Sequence, residues 1–253
     1  MNPKNAKAYL QLILGIKANE ILGFRLVTLL AKHLLPNYRF TWPELAWFQD
    51  SKLINSLSRF DENEGFNAHR KYALQQLLRL IEGIPGDTAE CGVYKGCSSY
   101  IMLQANKLAT YSRTHHIFDS FEGLSRPSEN DGKYWTTNDL AVDESVVENN
   151  LSEFNRVKFY KGWIPSRFSE ITDCAFSFIH IDVDLYEPTL ECIRFFYDRL
   201  NSGGIFVCDD YGFLTCPGAT EAIQEFLVSK PEKMVSLPGG GGFFIKGCLT
   251  CPE

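Results

Sequence analysis

Residues 87–99 read DTAECGVYKGCSS. They follow the breaker GIPG at 83–86, and the stretch 87–93 reads as a short strand. Glycines at 92 and 96 let the backbone turn tightly, and 98–108 then reads as a helix. Strand, glycine turn and helix make up the unit of a parallel sheet, and the pattern recurs downstream. Strands are expected over 115–119, 157–161, 175–182 and 205–208, with helices over 188–200 and 218–227. Two last strands fall near 234–237 and 242–246. NSGG at 201–204 reads as the stop of the preceding helix, and 124–150 is polar without a period. Repeated alternation predicts an α/β fold, a mostly parallel sheet with helices on both faces.

Upstream, 67–82 reads as a helix, and PNYRFTWP at 36–43 breaks an earlier helical pattern. The apolar run 8–35 is interrupted by Lys17, Glu20, Arg25 and Lys32, so it is not a membrane span. It reads as a helical extension that packs on the core or on a second copy, and membrane contact is not expected. The expected division is a helical extension over 1–82 and a catalytic domain over 83–253. The chain has 253 residues, 45% apolar and 22% charged, with a formal net charge of −6, and it is not a nucleic-acid binder by electrostatics. Residues 1–40 run the other way, with six Lys/Arg against one acid. Eight cysteines in a chain of this size read as reduced, structural thiols and a cytoplasmic setting. Cys248 and Cys251 have C-x-x-C spacing but no second pair.

Four places carry chemistry. Glu90 opens E-x-G-x-x-x-G with Gly92, where a dinucleotide site would have G-x-G-x-x-G and seat a pyrophosphate. A carboxylate there suits a cationic or hydroxyl-bearing cofactor, and Tyr94 and Ser98 lie in the same turn. Asp119 ends the strand HHIFD, beside Ser120, where an acid can accept two ribose hydroxyls. Both NAD and S-adenosylmethionine carry that ribose. His180, Asp182 and Asp184 share a face if their strand persists, and Asp209 and Asp210 end the next strand. If the strands are neighbours, up to four carboxylates converge and raise one another's pKa unless a cation neutralises them. Oxygen donors suit Mg²⁺ or Ca²⁺ rather than zinc. His180 reads as a core or supporting residue. Trp163, after Gly162, offers a face to an adenine or to the core.

In the order IPGDTAECGVYKGCSSYIM (84–102), FDSFEGL (118–124), KGWIPSRF (161–168), HIDVDLYEPTLE (180–191), GGIFVCDDYG (203–212) and PGATEAIQEF (217–226), the chain resembles the macrocin O-methyltransferase family. The resemblance implies a class I methyltransferase fold, a Rossmann-like and mostly parallel seven-stranded sheet whose last strand is antiparallel. It implies S-adenosylmethionine and a divalent ion, usually Mg²⁺. By position, Asp182, Asp209 and Asp210 match the metal ligands and Asp184 the general base. Glu90, Gly92, Asp119 and Ser120 match the cofactor motif, Gly162 and Trp163 the segment bordering the adenine, and Asp182 is also counted with the cofactor set. The stretch 126–140, with Tyr134 and Trp135, is expected to act as a lid.

The expected function is methylation of a hydroxyl on a sugar or glycosylated small molecule, by a homo-oligomer. Methylation of a catechol-like diol and a non-enzymatic cofactor-binding module are the alternatives. An NAD-linked oxidoreductase lacks its glycine motif, and a metal hydrolase would leave Glu90 and Asp119 without a purpose.

Overall fold

A computed structural model of the chain describes residues 20–35, 41–63 and 65–247. The expectations for 1–19, including Lys4, Lys7 and Lys17, and for Cys248 and Cys251 lie outside these residues. Two compact units are present, Met1–Ile54 and Asn55–Glu253, so the expected boundary at 82/83 falls inside the larger one. The smaller unit contains helix α1 (Glu20–Leu34), on which Phe24 meets Trp42 edge to face, with ring centroids 5.7 Å apart. Helix α2 (Ser51–Arg59) runs across the division.

The larger unit carries α3 (Gly65–Leu80), then β1 (Asp87–Cys91), α4 (Cys97–Leu108), β2 (His115–Asp119), α5 (Glu144–Leu151), β3 (Val157–Lys161) and β4 (Phe176–Ile181). It ends with α6 (Tyr186–Tyr197), β5 (Leu200–Cys208), α7 (Pro217–Leu227), β6 (Val235–Ser236) and β7 (Gly242–Ile245). The seven strands pair in the order β3-β2-β1-β4-β5-β7-β6, and β7 runs antiparallel to both neighbours. The order reverses between β1 and β4, where a sheet of this kind opens a crevice beyond its strand ends.

Side-chain alternation sorts β1 between two layers. Ala89 and Cys91 enter an apolar layer with Phe118, Ile179, Ile181 and Phe206, closed by Leu190, Ile193 and Phe196 of α6 and Ala219, Ala222 and Ile223 of α7. Phe196 is fully buried, and truncation to Ala would cost about 3–5 kcal/mol. On the other face Val93, Leu103, Ile117, Val147 and Leu151 pack together from α4, α5 and the sheet. Thr88 and Glu90 point to that second face and meet polar groups of α4.

Three local readings are corrected. NSGG at 201–204 lies inside β5 because the partner strand satisfies its backbone: Gly203 N–H donates to the Lys246 carbonyl, and Lys246 N–H to that of Gly204, both at 2.8 Å. A register shift against β4 absorbs the extra residues. Helix α6 starts at Tyr186, which puts Pro188 at its third position. The polar stretch 124–150 contains α5, whose N-cap Asp143 accepts from Ser145 N–H at 2.9 Å.

Candidate active site

The strand ends and the loops after them enclose a cavity of about 510 Å³. Glu90, Gly92, Tyr94, Ser98, Asp119 and Ser120 line it from β1, β2 and their turns, and Gly162 and Trp163 from the turn after β3. Asp182, Asp184 and Asp210 line it from the β4 and β5 ends. One expected site residue, Asp209, is not part of the lining.

Asp119 is held by the backbone: Oδ2 accepts from Val93 N–H and Oδ1 from Phe121 N–H, each at 2.7 Å. Burial nevertheless pushes its pKa up. Gly92 has φ +81°, and a Cβ there would lie 1.9 Å from the Asp182 carbonyl oxygen, so the turn and the β4 end meet at a distance only glycine permits. Ser120 is spent on its own turn, donating to the Gly123 carbonyl at 3.1 Å and accepting from Glu122 N–H at 3.0 Å. Trp163 is 40% exposed, and its face is available to a flat ligand rather than consumed by the core.

Glu90 departs from the expected picture of a carboxylate open to the cofactor. It is 1% exposed. One oxygen accepts from Ser99 Oγ and the other meets His180 Nδ1 at 3.0 Å. A buried polar chain continues behind it. Ser99 Oγ meets His115 Nε2 at 2.8 Å, His115 Nδ1 meets Thr88 Oγ1 at 2.9 Å, and Asn106 Nδ2 donates to Thr88 Oγ1 at 2.8 Å. Burial lowers the His115 pKa to about 4 and keeps the ring neutral. Glu90 thus anchors Ser99 and His180 beneath the turn after β1.

The carboxylate cluster is crowded and mostly buried. Strand β4 ends at Ile181, so strand alternation does not place Asp184, contrary to the expectation. A left-handed residue does, with φ +60° at Asp184, a conformation aspartate tolerates better than most. Its N–H donates to Asp210 Oδ2 at 2.8 Å. Ligand atoms of His180, Asp182 and Asp209 lie within 4.8 Å of one another, and those of Asp184, Asp210 and Cys216 do likewise. The three carboxylates expected as one ligand set are therefore divided between two groups.

Their ionisation reflects the crowding. Burial, then the Asp209 charge, raises the Asp182 pKa to about 7, and burial raises that of Asp184 to about 6. Burial and the neighbouring carboxylates push Asp210 well above the carboxylate range. Asp209 goes the other way: burial opposes its charge, but Arg70, Lys71 and His180 outweigh burial. Burial also works against charge on His180, yet Asp209 and Glu90 lift its pKa to about 9.

No sequence motif points to Arg70 and Lys71. Both come from α3, upstream of every motif. Arg70 Nη1 donates to Asp209 Oδ2 at 2.5 Å, and Lys71 Nζ to Ser98 Oγ at 2.6 Å. Lys71 Nζ also lies 4.0 Å from Asp182 and 3.9 Å from Asp209. The available signal was a pair of adjacent cations in an otherwise weakly charged helix. Cys216, expected to be a structural thiol, lines the cavity, and its Sγ lies 3.5 Å from Asp184 Oδ1. Trp135 Nε1 donates to the same sulfur at 3.2 Å. Asp131 ties the same stretch down, accepting from Tyr186 N–H at 2.6 Å. A Cβ on Gly218 would lie 2.2 Å from that acceptor oxygen. In this structure the stretch expected as a lid is hydrogen-bonded to the cavity wall through Trp135 and Asp131.

A sheet with this strand order and its last strand antiparallel, a glycine turn after β1 and an acid ending β2 define the class I methyltransferase fold. The sequence profile of the macrocin-O-methyltransferase family (TylF) matches residues 68–235, and the chain belongs to that family of O-methyltransferases. It is similar to the demethyldecarbamoylnovobiocin O-methyltransferase of Streptomyces niveus, 27% identical over 63% of this chain and 68% of that protein. The 8-demethyl-8-(2,3-dimethoxy-alpha-L-rhamnosyl)-tetracenomycin-C 4'-O-methyltransferase of Streptomyces olivaceus is 30% identical over 55% of this chain and 58% of that protein. Among solved structures, the calicheamicin methyltransferase CalS11 shares the fold, with a TM-score of 0.66 at 20% identity over 92% of this chain and 95% of that one.

Proposed function

We propose that this chain transfers the methyl group of S-adenosylmethionine to a hydroxyl of a sugar or glycosylated small molecule, assisted by Mg²⁺. One observation carries the reading: a single cavity joins a ribose-type acid, Asp119, and an open indole, Trp163, to a group of buried carboxylates. The name of one relative supplies the sugar, since it is a 4'-O-methyltransferase of a rhamnosyl-tetracenomycin.

The donors fit a hard cation. Fully ionised, Asp182, Asp184, Asp209 and Asp210 would outnumber the positive charges of Arg70, Lys71 and His180, and burial together with this crowding pushes all but Asp209 toward the neutral form, a tendency that a bound cation would reverse. Asp182, Asp209 and Asp210 would hold the ion once their side chains turn toward it, since Asp182 and Asp209 now group with His180, and Asp210 with Asp184 and Cys216. S-Adenosylmethionine supplies an electrophilic methyl group, and a divalent ion supplies Lewis acidity toward a hydroxyl. The remaining work falls to side chains. Asp119 accepts the ribose hydroxyls, and Trp163 stacks on the adenine. Gly92, Tyr94 and Ser98 shape the turn over the methionine end. Asp184 takes the hydroxyl proton, with Cys216 fixing its orientation. Trp135 and Leu124 shield the reacting oxygen from water.

Calorimetric titration with S-adenosylmethionine tests the cofactor half. A mass-spectrometric methyl-transfer screen over glycosides and catechols tests the acceptor: labelled glycosides support the reading, and labelling of catechols alone replaces it. Self-association through α1 is part of the proposal, because Val27, Leu30 and Leu34 recur at helical spacing and are exposed. A monomer in light scattering would remove that part. No described helix is long and apolar enough to cross a membrane.

A further inference from the structure

Besides His180, the carboxylate cluster has two built-in counter-cations from α3, and they are not equivalent. Lys71 is held deep: its side chain is 7% exposed, and its ammonium is anchored on Ser98 Oγ at 2.6 Å, about 4 Å from both Asp182 and Asp209. Arg70 is held less completely. Its side chain is 15% exposed, and its guanidinium lies 5.4 Å from the Phe213 ring centroid at the cavity wall. Nη1 meets Asp209 Oδ2 at 2.5 Å and Nη2 meets Asn67 Oδ1 at 3.0 Å, while the buried Nε has no hydrogen-bond partner. An arginine with one nitrogen unsatisfied, on the rim of an open cavity, has somewhere to go. A lysine anchored beneath the cofactor turn does not.

Asp209 Oδ2 can serve Arg70 or a metal ion, and Asp209 is the one expected ligand that does not line the cavity. We propose that Arg70 is a displaceable counter-ion: it occupies Asp209 Oδ2 in the metal-free protein, and a divalent cation gains that carboxylate only as the guanidinium leaves it. Lys71 stays in place in both states. Asn67 is the latch, because its Oδ1 holds the second guanidinium nitrogen. The consequence is a metal affinity set partly by an arginine that coordinates nothing. This inference rests on the reading of the cluster as a cation site.

The test uses the full chain and Mn²⁺ as probe, with binding followed by calorimetry and by the loss of the free-ion paramagnetic resonance signal. Arg70→Gln is expected to bind Mn²⁺ about 10-fold to 100-fold more tightly than the wild type, the range set by one hydrogen bond between charged groups. Asn67→Ala keeps every charge at the cluster, removing the contact to Arg70 Nη2 and the donation from Asn67 Nδ2 to Glu62 Oε2 at 2.6 Å. Glu62→Gln beside it controls for the second loss, and of these two Asn67→Ala alone is expected to tighten binding, about twofold to tenfold. It also covers the case in which Arg70→Gln does not fold. Equal or weaker Mn²⁺ binding by Arg70→Gln and Asn67→Ala, with the wild type still binding, overturns the counter-ion role and leaves the metal reading standing. Tightening in Arg70→Gln alone overturns it too, because a general field effect then explains the gain. If wild type and variants all fail to bind Mn²⁺, the metal reading falls and this inference falls with it.

Discussion

The two halves of the cavity treat carboxylates in opposite ways. At the β1 and β2 ends Asp119 and Glu90 are separate, and each is satisfied by donors of the protein: two backbone N–H groups for one, Ser99 and His180 for the other. On the other side Asp182, Asp184, Asp209 and Asp210 crowd together, and only Asp209 has full cationic company. The first arrangement is finished before any ligand arrives and suits a nucleoside that brings hydroxyl groups. The second is frustrated by its own charge and suits a cation. Preorganisation and electrostatic demand are thus divided between the β1–β2 and β4–β5 strand ends.

That division can be broken one residue at a time. The largest effect is expected at Asp184. Asp184→Asn should depress methyl transfer by about 10²–10⁴-fold, the usual scale for a positioned base. S-Adenosylmethionine affinity, read by calorimetry, should stay within twofold, and a large loss of cofactor affinity would merge the two halves.

Next comes the polar chain behind Glu90. The folded-state pKa of His115, about 4, lies below its unfolded value of about 6.5, so the unfolded chain takes up the proton first. The contribution of this ring to stability is present above about pH 6.5 and is lost as pH falls toward 4, amounting to about 3 kcal/mol. Denaturant titrations across that window should be flatter for His115→Gln than for the wild type.

Asp119→Ala should weaken S-adenosylmethionine binding by about 1.5–3 kcal/mol and leave Mn²⁺ binding unchanged. Equal cofactor affinity in that variant would remove Asp119 from the site. The smallest effect is expected at Trp135→Phe, which removes the indole N–H from Cys216. Stability should change by less than about 1 kcal/mol, since sulfur is a weak acceptor, while acceptor KM rises a few-fold with cofactor affinity unaltered.

The halves also differed in how far the sequence revealed them. The strand ends HHIFD and VKFYK coincide with β2 and β3 because short β-forming runs between breakers leave few alternatives. Asp119 and the Glu90–Gly92 turn follow from those boundaries. The fate of Glu90's carboxylate does not, because Ser99 and His180 reach it from another helix and another strand. In the cluster, alternation along β4 gave Asp184 the wrong cause, since a left-handed residue beyond the strand places it. Arg70 and Lys71 were invisible to motif reading: they lie on α3, and only the packing of that helix brings two adjacent cations under the β4 and β5 ends. Glycines at 203–204 looked like a stop, yet pairing with β7 made them strand. Helix α5 has too few apolar positions to stand out among its polar neighbours.

The crowded half of the cavity is proposed to work with a cation. The direct measurement is methyl transfer from isotopically labelled S-adenosylmethionine to a glycoside acceptor after exhaustive treatment with EDTA, followed by return of Mg²⁺. No label is expected on the acceptor hydroxyl in EDTA, and Mg²⁺ is expected to restore its incorporation, while cofactor binding persists throughout. Undiminished methyl transfer in EDTA would contradict it.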